Sequence, residues 1–290
     1  MTSSGRPKIG VFDSGVGGLT VLRALLEHIP EADYLYFGDT ARLPYGSKSA
    51  ATVAHYAVGA VQYLQEQGAE LLVIACNTAT ALALDEIQRA AGVGVIGVIE
   101  PGAAAAAAAT AKKSVVVIGT EATISSHAYR RALEARNVTV REKACPLLVP
   151  LVEEGWVEHP VTEQVARIYL SEAFSEAWSE RSPKDAREAD VLVLGCTHYP
   201  LIKPLLRRIA PEHITIVDSA ESTAQDVARQ LGQPGKSDPA ASPAERMRVG
   251  GASGPRLRFF ATDSAEKFRT MGTRFLGLPV DDVVHADLKE

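Results

Sequence analysis

Apolar positions along this chain gather into short runs, and between the runs they recur at helical spacing. Residues 9–12, 34–37, 71–75, 93–99, 114–119, 138–142, 191–195, 214–217 and 257–260 read as strands, most of them too uniformly apolar to be exposed on either face. Residues 19–29, 49–67, 79–90, 103–111, 124–135, 161–178, 201–209, 224–231 and 265–275 read as helices. In 49–67, for example, Val53, Tyr56, Ala60, Tyr63 and Leu64 fall on one face. The alanine run from 103 to 111 has high helix propensity. Repeated alternation of strand and helix predicts an α/β fold of parallel sheets flanked by helices. Residues 232–255, rich in Gly, Pro, Ser and Ala and without periodicity, read as a long surface loop.

Two parts of the pattern echo each other. Ile-Gly-Val-Phe-Asp13-Ser14-Gly and Val-Val-Val-Ile-Gly119-Thr120 both run from a strand into a polar loop. Each is followed, after intervening elements, by a strand that ends on a thiol: Leu-Leu-Val-Ile-Ala-Cys76-Asn77-Thr78 and Val-Leu-Val-Leu-Gly-Cys196-Thr197-His198. The order of elements thus hints at two similar halves facing each other. Open α/β sheets build their sites at the C-terminal ends of strands, where both thiols fall.

Composition narrows the chemistry. With 290 residues, 46% hydrophobic and 22% charged, the chain suits one large domain or two ordinary ones. A net charge of −5, with scattered Lys and Arg, gives no electrostatic case for nucleic acid. No apolar run reaches the ~20 residues that span a bilayer, so no membrane partner is expected. The first residues hold no apolar signal core, and the three cysteines fit free thiols in a reducing, cytoplasmic setting.

The two cysteine segments leave several readings open. No Cys-x-x-Cys or close His pair supports a metal. A redox pair requires the sulfurs to approach within bonding distance. A single nucleophile would be Cys196 with His198 as partner. Two buried structural cysteines fit poorly with the adjacent Asn, Thr and His, which need partners when buried. Two opposed thiols could also remove and return one proton on a substrate carbon, with Asp13 and His198 as assistants.

Other segments carry weaker signals. Phe12-Asp13-Ser14-Gly15-Val16-Gly17-Gly18 fits neither the dinucleotide fingerprint nor the P-loop; it is an anion-binding turn or a plain turn with Asp13 as helix N-cap. The loop Gly38-Asp39-Thr40-Ala41-Arg42-Leu43-Pro44-Tyr45-Gly46 is a ligand-binding loop, or a connection in which Asp39 and Arg42 pair at the surface. Thr120 and Thr123 can cap a helix or hold a ligand, and Glu153 can cap one. Pro101 is expected in a first helical turn. Cys145 reads as core, His127 as a helix-surface residue, and Trp156 and Trp178 as packing or interface groups.

Taken together, five motifs resemble the glutamate-acting branch of the cofactor-independent aspartate/glutamate racemase family. They are Gly10-Val-Phe-Asp13-Ser14-Gly-Val-Gly-Gly18, Gly38-Asp39-Thr40-Ala-Arg-Leu-Pro44-Tyr45-Gly46, Ala75-Cys76-Asn77-Thr78, Pro150-Leu-Val-Glu153 and Gly195-Cys196-Thr197-His198-Tyr-Pro200. The resemblance implies that Cys76 and Cys196 transfer the proton, one for each enantiomer, assisted by Asp13 and His198. It implies that Asp13, Ser14, Tyr45, Gly46, Asn77, Thr78, Thr120, Thr123, Thr197 and His198 hold the substrate, with Asp39 and Glu153 as auxiliary acids. It implies no cofactor or metal, two α/β domains (1–100 plus 213–290, and 101–212) with the site between them, and a homodimer. Family members supply D-glutamate for peptidoglycan synthesis, and some bind DNA gyrase. The competing readings are a relative acting on aspartate or a hydantoin, a gyrase-binding protein, and a dithiol redox protein.

Overall fold

A computed structural model describes residues 6–174, 189–232 and 254–288. The first half of the chain supplies strands β1 (Lys8–Asp13), β2 (Asp33–Gly38), β3 (Leu71–Ile74) and β4 (Gly94–Gly97), separated by helices α1 (Leu19–His28), α2 (Ala50–Glu66) and α3 (Asn77–Ala90). Helix α4 (Ile99–Ala109) leads to β5 (Ser114–Gly119), α5 (Glu121–Ser125), α6 (Ala128–Glu134), β6 (Thr139–Ala144), α7 (Leu148–Glu153) and α8 (Pro160–Phe174). Strand β7 (Val191–Gly195), α9 (Lys203–Ile209), β8 (Thr215–Asp218), α10 (Ser219–Gln230), β9 (Leu257–Ala261), α11 (Ala265–Leu276) and β10 (Val283–His285) complete it.

The strands form two sheets, ordered β10-β9-β2-β1-β3-β4 and β6-β5-β7-β8, and every strand pairing is parallel. The hint of a repeat is realised as topology: β2-β1-β3-β4 and β6-β5-β7-β8 follow the same order, and β9 and β10 extend only the first sheet. Helices cover both faces, so the central strands lose all contact with water. Val115, Val116, Val117 and Ile118 of β5 are each 0% exposed. Burying each such side chain stabilises the fold by about 1.5–3 kcal/mol. Ile118→Ala would cost about 2–5 kcal/mol through lost transfer energy and a cavity.

Register then decides what meets at the sheet edges. Asp13 is the partner of Gly38, and Phe12 of Ile74, so Asp13, Asp39 and Cys76 emerge at one C-terminal edge. In the second sheet Gly119 is the partner of Gly195, so Thr120 and Cys196 emerge side by side. The two edges are joined by side-chain bonds. Thr20 Oγ1 donates to Thr197 O at 2.8 Å, and Tyr129 OH donates to Asn77 Oδ1 at 2.8 Å.

Several expectations need correction. Strand β8 pairs with β7, so a return to the first unit at about residue 213 falls too early; the second sheet runs to Asp218. The expected helix 124–135 is broken into α5 and α6 by His127, which sits exposed in the left-handed region with φ 54. The expected strand 93–99 stops at Gly97, because Ile99 already opens α4 and places Pro101 in its first turn. Asp13 does not cap α1, whose N-cap is Gly18. Helix α7 and the three-residue β10 have no counterpart in the expected elements. The loop reading of 232–255, Trp178 and the end of the helix expected over 161–178 lie largely or wholly outside the described residues. Among the described residues no helix is long and apolar enough to cross a membrane.

Candidate active site

Each thiol sits where a strand hands over to a helical turn, and the local sequence explains why. Ala75-Cys76 ends the buried β3 run, and Cys76 becomes the N-cap of α3, its Sγ accepting from Ala79 N–H at 3.4 Å. A sulfur there faces the unpaired N–H groups and positive end of a helix dipole. Cys196 follows β7, and the 3-10 turn Tyr199–Ile202 begins after His198. Cys76 and Cys196 are both nearly buried, at 5% and 4% exposure. They line one cavity of about 550 Å³ together with Ser14, Tyr45, Gly46, Asn77, Thr78, Thr120, Glu153, Thr197 and His198.

The Cys76 corner holds a buried acid. Cys76 Sγ lies 3.6 Å from Ser14 Oγ. Behind it, Asp13 is 1% exposed; its Oδ2 accepts from Gly15 N–H at 2.9 Å, while Oδ1 has no hydrogen-bond partner among the described residues. Burial pushes the Asp13 carboxyl above its ordinary range, and the His198 charge and the Gly15 and Gly18 amides only partly oppose this. Burial, reinforced by the Asp13 charge, pushes the Cys76 thiol up to about 12.

The Cys196 corner holds a cation. Cys196 Sγ lies 3.9 Å from His198 Nδ1, Thr197 Oγ1 lies 3.4 Å from the same nitrogen, and His198 Nε2 meets Glu153 Oε1 at 3.0 Å. Burial pulls the His198 imidazolium down, but its contacts with Cys196 and Glu153 outweigh burial and hold it up at about 10. The bond to His198 in turn holds Glu153 below the usual carboxylate range, against partial burial. Gly17 lets this corner close on the first: a Cβ there would lie 2.3 Å from Thr197 Oγ1 and 2.6 Å from His198 Nδ1.

Polar side chains knit the floor. Thr120 N-caps α5, and Thr78 Oγ1 lies 3.0 Å from Thr120 Oγ1 and 3.3 Å from Thr123 Oγ1. Asn77 is committed to structure at both ends of its amide, accepting from Tyr129 and donating to Ser219 Oγ at 3.3 Å.

Three expected site residues do not line the cavity: Asp13, Asp39 and Thr123. Asp39 is fully buried behind the wall, accepting from Tyr45 OH at 2.6 Å, Thr262 Oγ1 at 2.8 Å and Arg42 Nη1 at 3.0 Å. Its pairing with Arg42 is therefore not a surface contact on the acid's side. Glu153 ends α7 and directs its carboxylate at His198. Cys145 is core, and the exposed Trp156 stacks on His159 at 4.5 Å. Sequence reasoning missed Lys267, Leu43 and Val149 as lining groups. Tertiary packing brings Lys267 in from α11, and no local motif marks it.

Comparison with known proteins gives the chain a family. The family model described as Asp/Glu/Hydantoin racemase matches residues 9–227. The chain is similar to a glutamate racemase of Koribacter versatilis, 58% identical over 296 residues and covering 98% of each protein. It resembles the crystal structure of a glutamate racemase from Bacillus anthracis with a TM-score of 0.81 at 34% identity, covering 97% of this chain and 98% of that one. It also resembles the Francisella tularensis enzyme in complex with D-glutamate, with a TM-score of 0.79, 34% identity and 98% of each chain covered.

Proposed function

This chain belongs to the Asp/Glu/Hydantoin racemase family, and on that premise we propose that it interconverts L- and D-glutamate by moving the α-proton between Cys76 and Cys196, with no cofactor. The observation that carries the reading is that two thiols from corresponding strands line one cavity, with the buried Asp13 acting on Cys76 and His198 3.9 Å from Cys196. The choice of glutamate follows the relatives named above, all glutamate racemases.

The chemistry is a balanced proton relay. A thiolate on one face of the α-carbon takes the proton and becomes a thiol. The planar carbanion then takes a proton from the thiol on the other face, which becomes a thiolate. Cys76, pushed up to about 12, is the proton-loaded partner. Cys196, with cationic His198 beside it, is the base for one enantiomer. The opposite enantiomer uses the reverse loading, with Asp13 as the group that draws the proton from Cys76. Because the α-proton is weakly acidic, charge developing on the α-carboxylate must meet fixed donors in a dry site. Ser14, Thr78, Thr120 and Thr197 hydroxyls, the loop at Tyr45–Gly46 and the amides opening α3 serve that purpose. Asn77 and Thr123 hold these donors in place, and Asp39 holds Tyr45.

The proposal extends to two α/β units facing each other across the cavity, a homodimer in the cytoplasm and supply of D-glutamate for peptidoglycan. Its direct test follows each glutamate enantiomer by circular dichroism and by α-proton exchange in D2O. Inertness toward both, with turnover of aspartate or a hydantoin instead, would replace the substrate reading. Full activity after Cys76→Ser or Cys196→Ser would remove the two-thiol scheme.

A further inference from the structure

Helix α11 packs beside α1 in the half that carries Asp13 and Cys76, yet it reaches the pair beside the other thiol. Phe275, fully buried, stands T-shaped against His198, with ring centroids 5.1 Å apart and an interplanar angle of 81°. Its neighbour Arg274 donates from Nη1 to the backbone carbonyl of Glu153 at 3.0 Å. Gly155, with φ +81, leaves room for the guanidinium: a Cβ there would lie 2.7 Å from Arg274 Nη1.

These contacts fall where the local structure is weakest. Helix α7 has six residues and ends on Glu153. A helix that short is not stable alone, and its last carbonyls lack intrahelical partners. A guanidinium there satisfies one carbonyl and complements the negative end of the dipole. Glu153 then has its backbone tied to α11 and its carboxylate tied to His198, whose other nitrogen faces Cys196. Neither Arg274 nor Phe275 lines the cavity.

We propose that Arg274 and Phe275 are positioning residues for Cys196: Arg274 fixes the backbone of Glu153, and Phe275 fixes the ring of His198. The inference rests on the reading of His198 as the proton partner of Cys196. The charged and titratable groups acting on His198 are Cys196, Glu153 and Asp13, and Lys267 of α11 acts on Glu153. Arg274 works instead through a carbonyl, so its loss shows in geometry and in the pH profile rather than in substrate binding.

The experiment compares Arg274→Gln, Arg274→Lys, Phe275→Leu and His198→Asn by kcat, KM, pH–rate profile and Tm. Arg274→Gln is expected to lower kcat about tenfold, the scale of a small misplacement at a reacting centre, with KM little changed. The alkaline limb should move to lower pH as the His198–Glu153 bond loosens. Arg274→Lys should restore most of the rate, and Phe275→Leu should move the same limb. Wild-type kcat and limb in Arg274→Gln, with His198→Asn impaired, overturn the inference alone. Full activity in His198→Asn overturns both the inference and the reading beneath it. Because Arg274 is exposed, folding should survive its replacement; a rate loss that merely follows Tm also counts against the proposal.

Discussion

Strands β3 and β7 hold the same place in two sheets of the same order, and each ends on a thiol, yet the two thiols sit in opposite fields. Cys76 faces a buried acid whose Oδ1 lacks a hydrogen-bond partner among the described residues. Cys196 faces an imidazole whose charge is compensated by Glu153. The difference teaches that topology supplies the position of a reactive group while the adjoining loops supply its chemistry. An acid behind one thiol and a cation beside the other make the two thiols chemically inequivalent, and the proposed relay uses that inequivalence.

The largest expected effect comes from removing either thiol. Cys76→Ser and Cys196→Ser should each lower racemisation by about 10³-fold or more, the upper range for a proton-transfer group. Solvent deuterium exchange of the α-proton, followed by NMR, should survive for opposite enantiomers in the two variants. Survival for the same enantiomer in both would erase the asymmetry.

Next come the assistants. Asp13→Asn and His198→Asn should each cost about 10²-fold in kcat, but they should part company in stability. The Asp13 carboxyl is raised by burial above its ordinary value of 3.8. Its favourable contribution is therefore full below that value and is lost as pH rises through the folded value. At neutral pH the charged form is a cost, so Asp13→Asn should raise Tm. His198 is raised from 6.5 to about 10, so its contribution is full below pH 6.5 and lost as pH rises through about 10. At pH 7, His198→Asn should lower Tm. Thermal unfolding of both variants at pH 7 checks the contrast, and equal shifts would contradict it.

A smaller effect is expected from Glu153→Gln, about tenfold in kcat, with the alkaline limb of the pH–rate profile displaced to lower pH because His198 loses its anion. An unmoved limb would mean that Glu153 does not hold the imidazolium. The smallest is Thr78→Val, which removes one hydroxyl from the trio with Thr120 and Thr123. It should destabilise by about 1 kcal/mol in denaturant unfolding, the net worth of a hydrogen bond, and leave the two thiols' relative behaviour unchanged.

Much of this was legible in the chain because parallel strands buried on both faces leave near-continuous apolar runs. The runs before Asp13, Cys76 and Cys196 are the β1, β3 and β7 strands that deliver those residues. The break at His127 was not legible, since a left-handed non-glycine residue follows from a tertiary tie, here the bond from His127 Nδ1 to Glu142 Oε2 at 2.7 Å. Helix α7 was hidden because its stability comes from its neighbours. Asp39 stands in a motif beside site residues, but only the fold reveals that it supports Tyr45 from behind.

Asn77 follows Cys76 directly, and its amide spans to Tyr129 of the second half and to Ser219 at the start of α10. At the opposite lip, Gly46 faces Thr120 with no bond between them; a Cβ on Gly46 would only touch it, at 3.4 Å. Thr20 ties Thr197 beside the other thiol in the same way, so each sulfur stands next to an anchored joint between the two sheets, and the lip at Gly46 is the stretch of cavity wall that can part without moving either one.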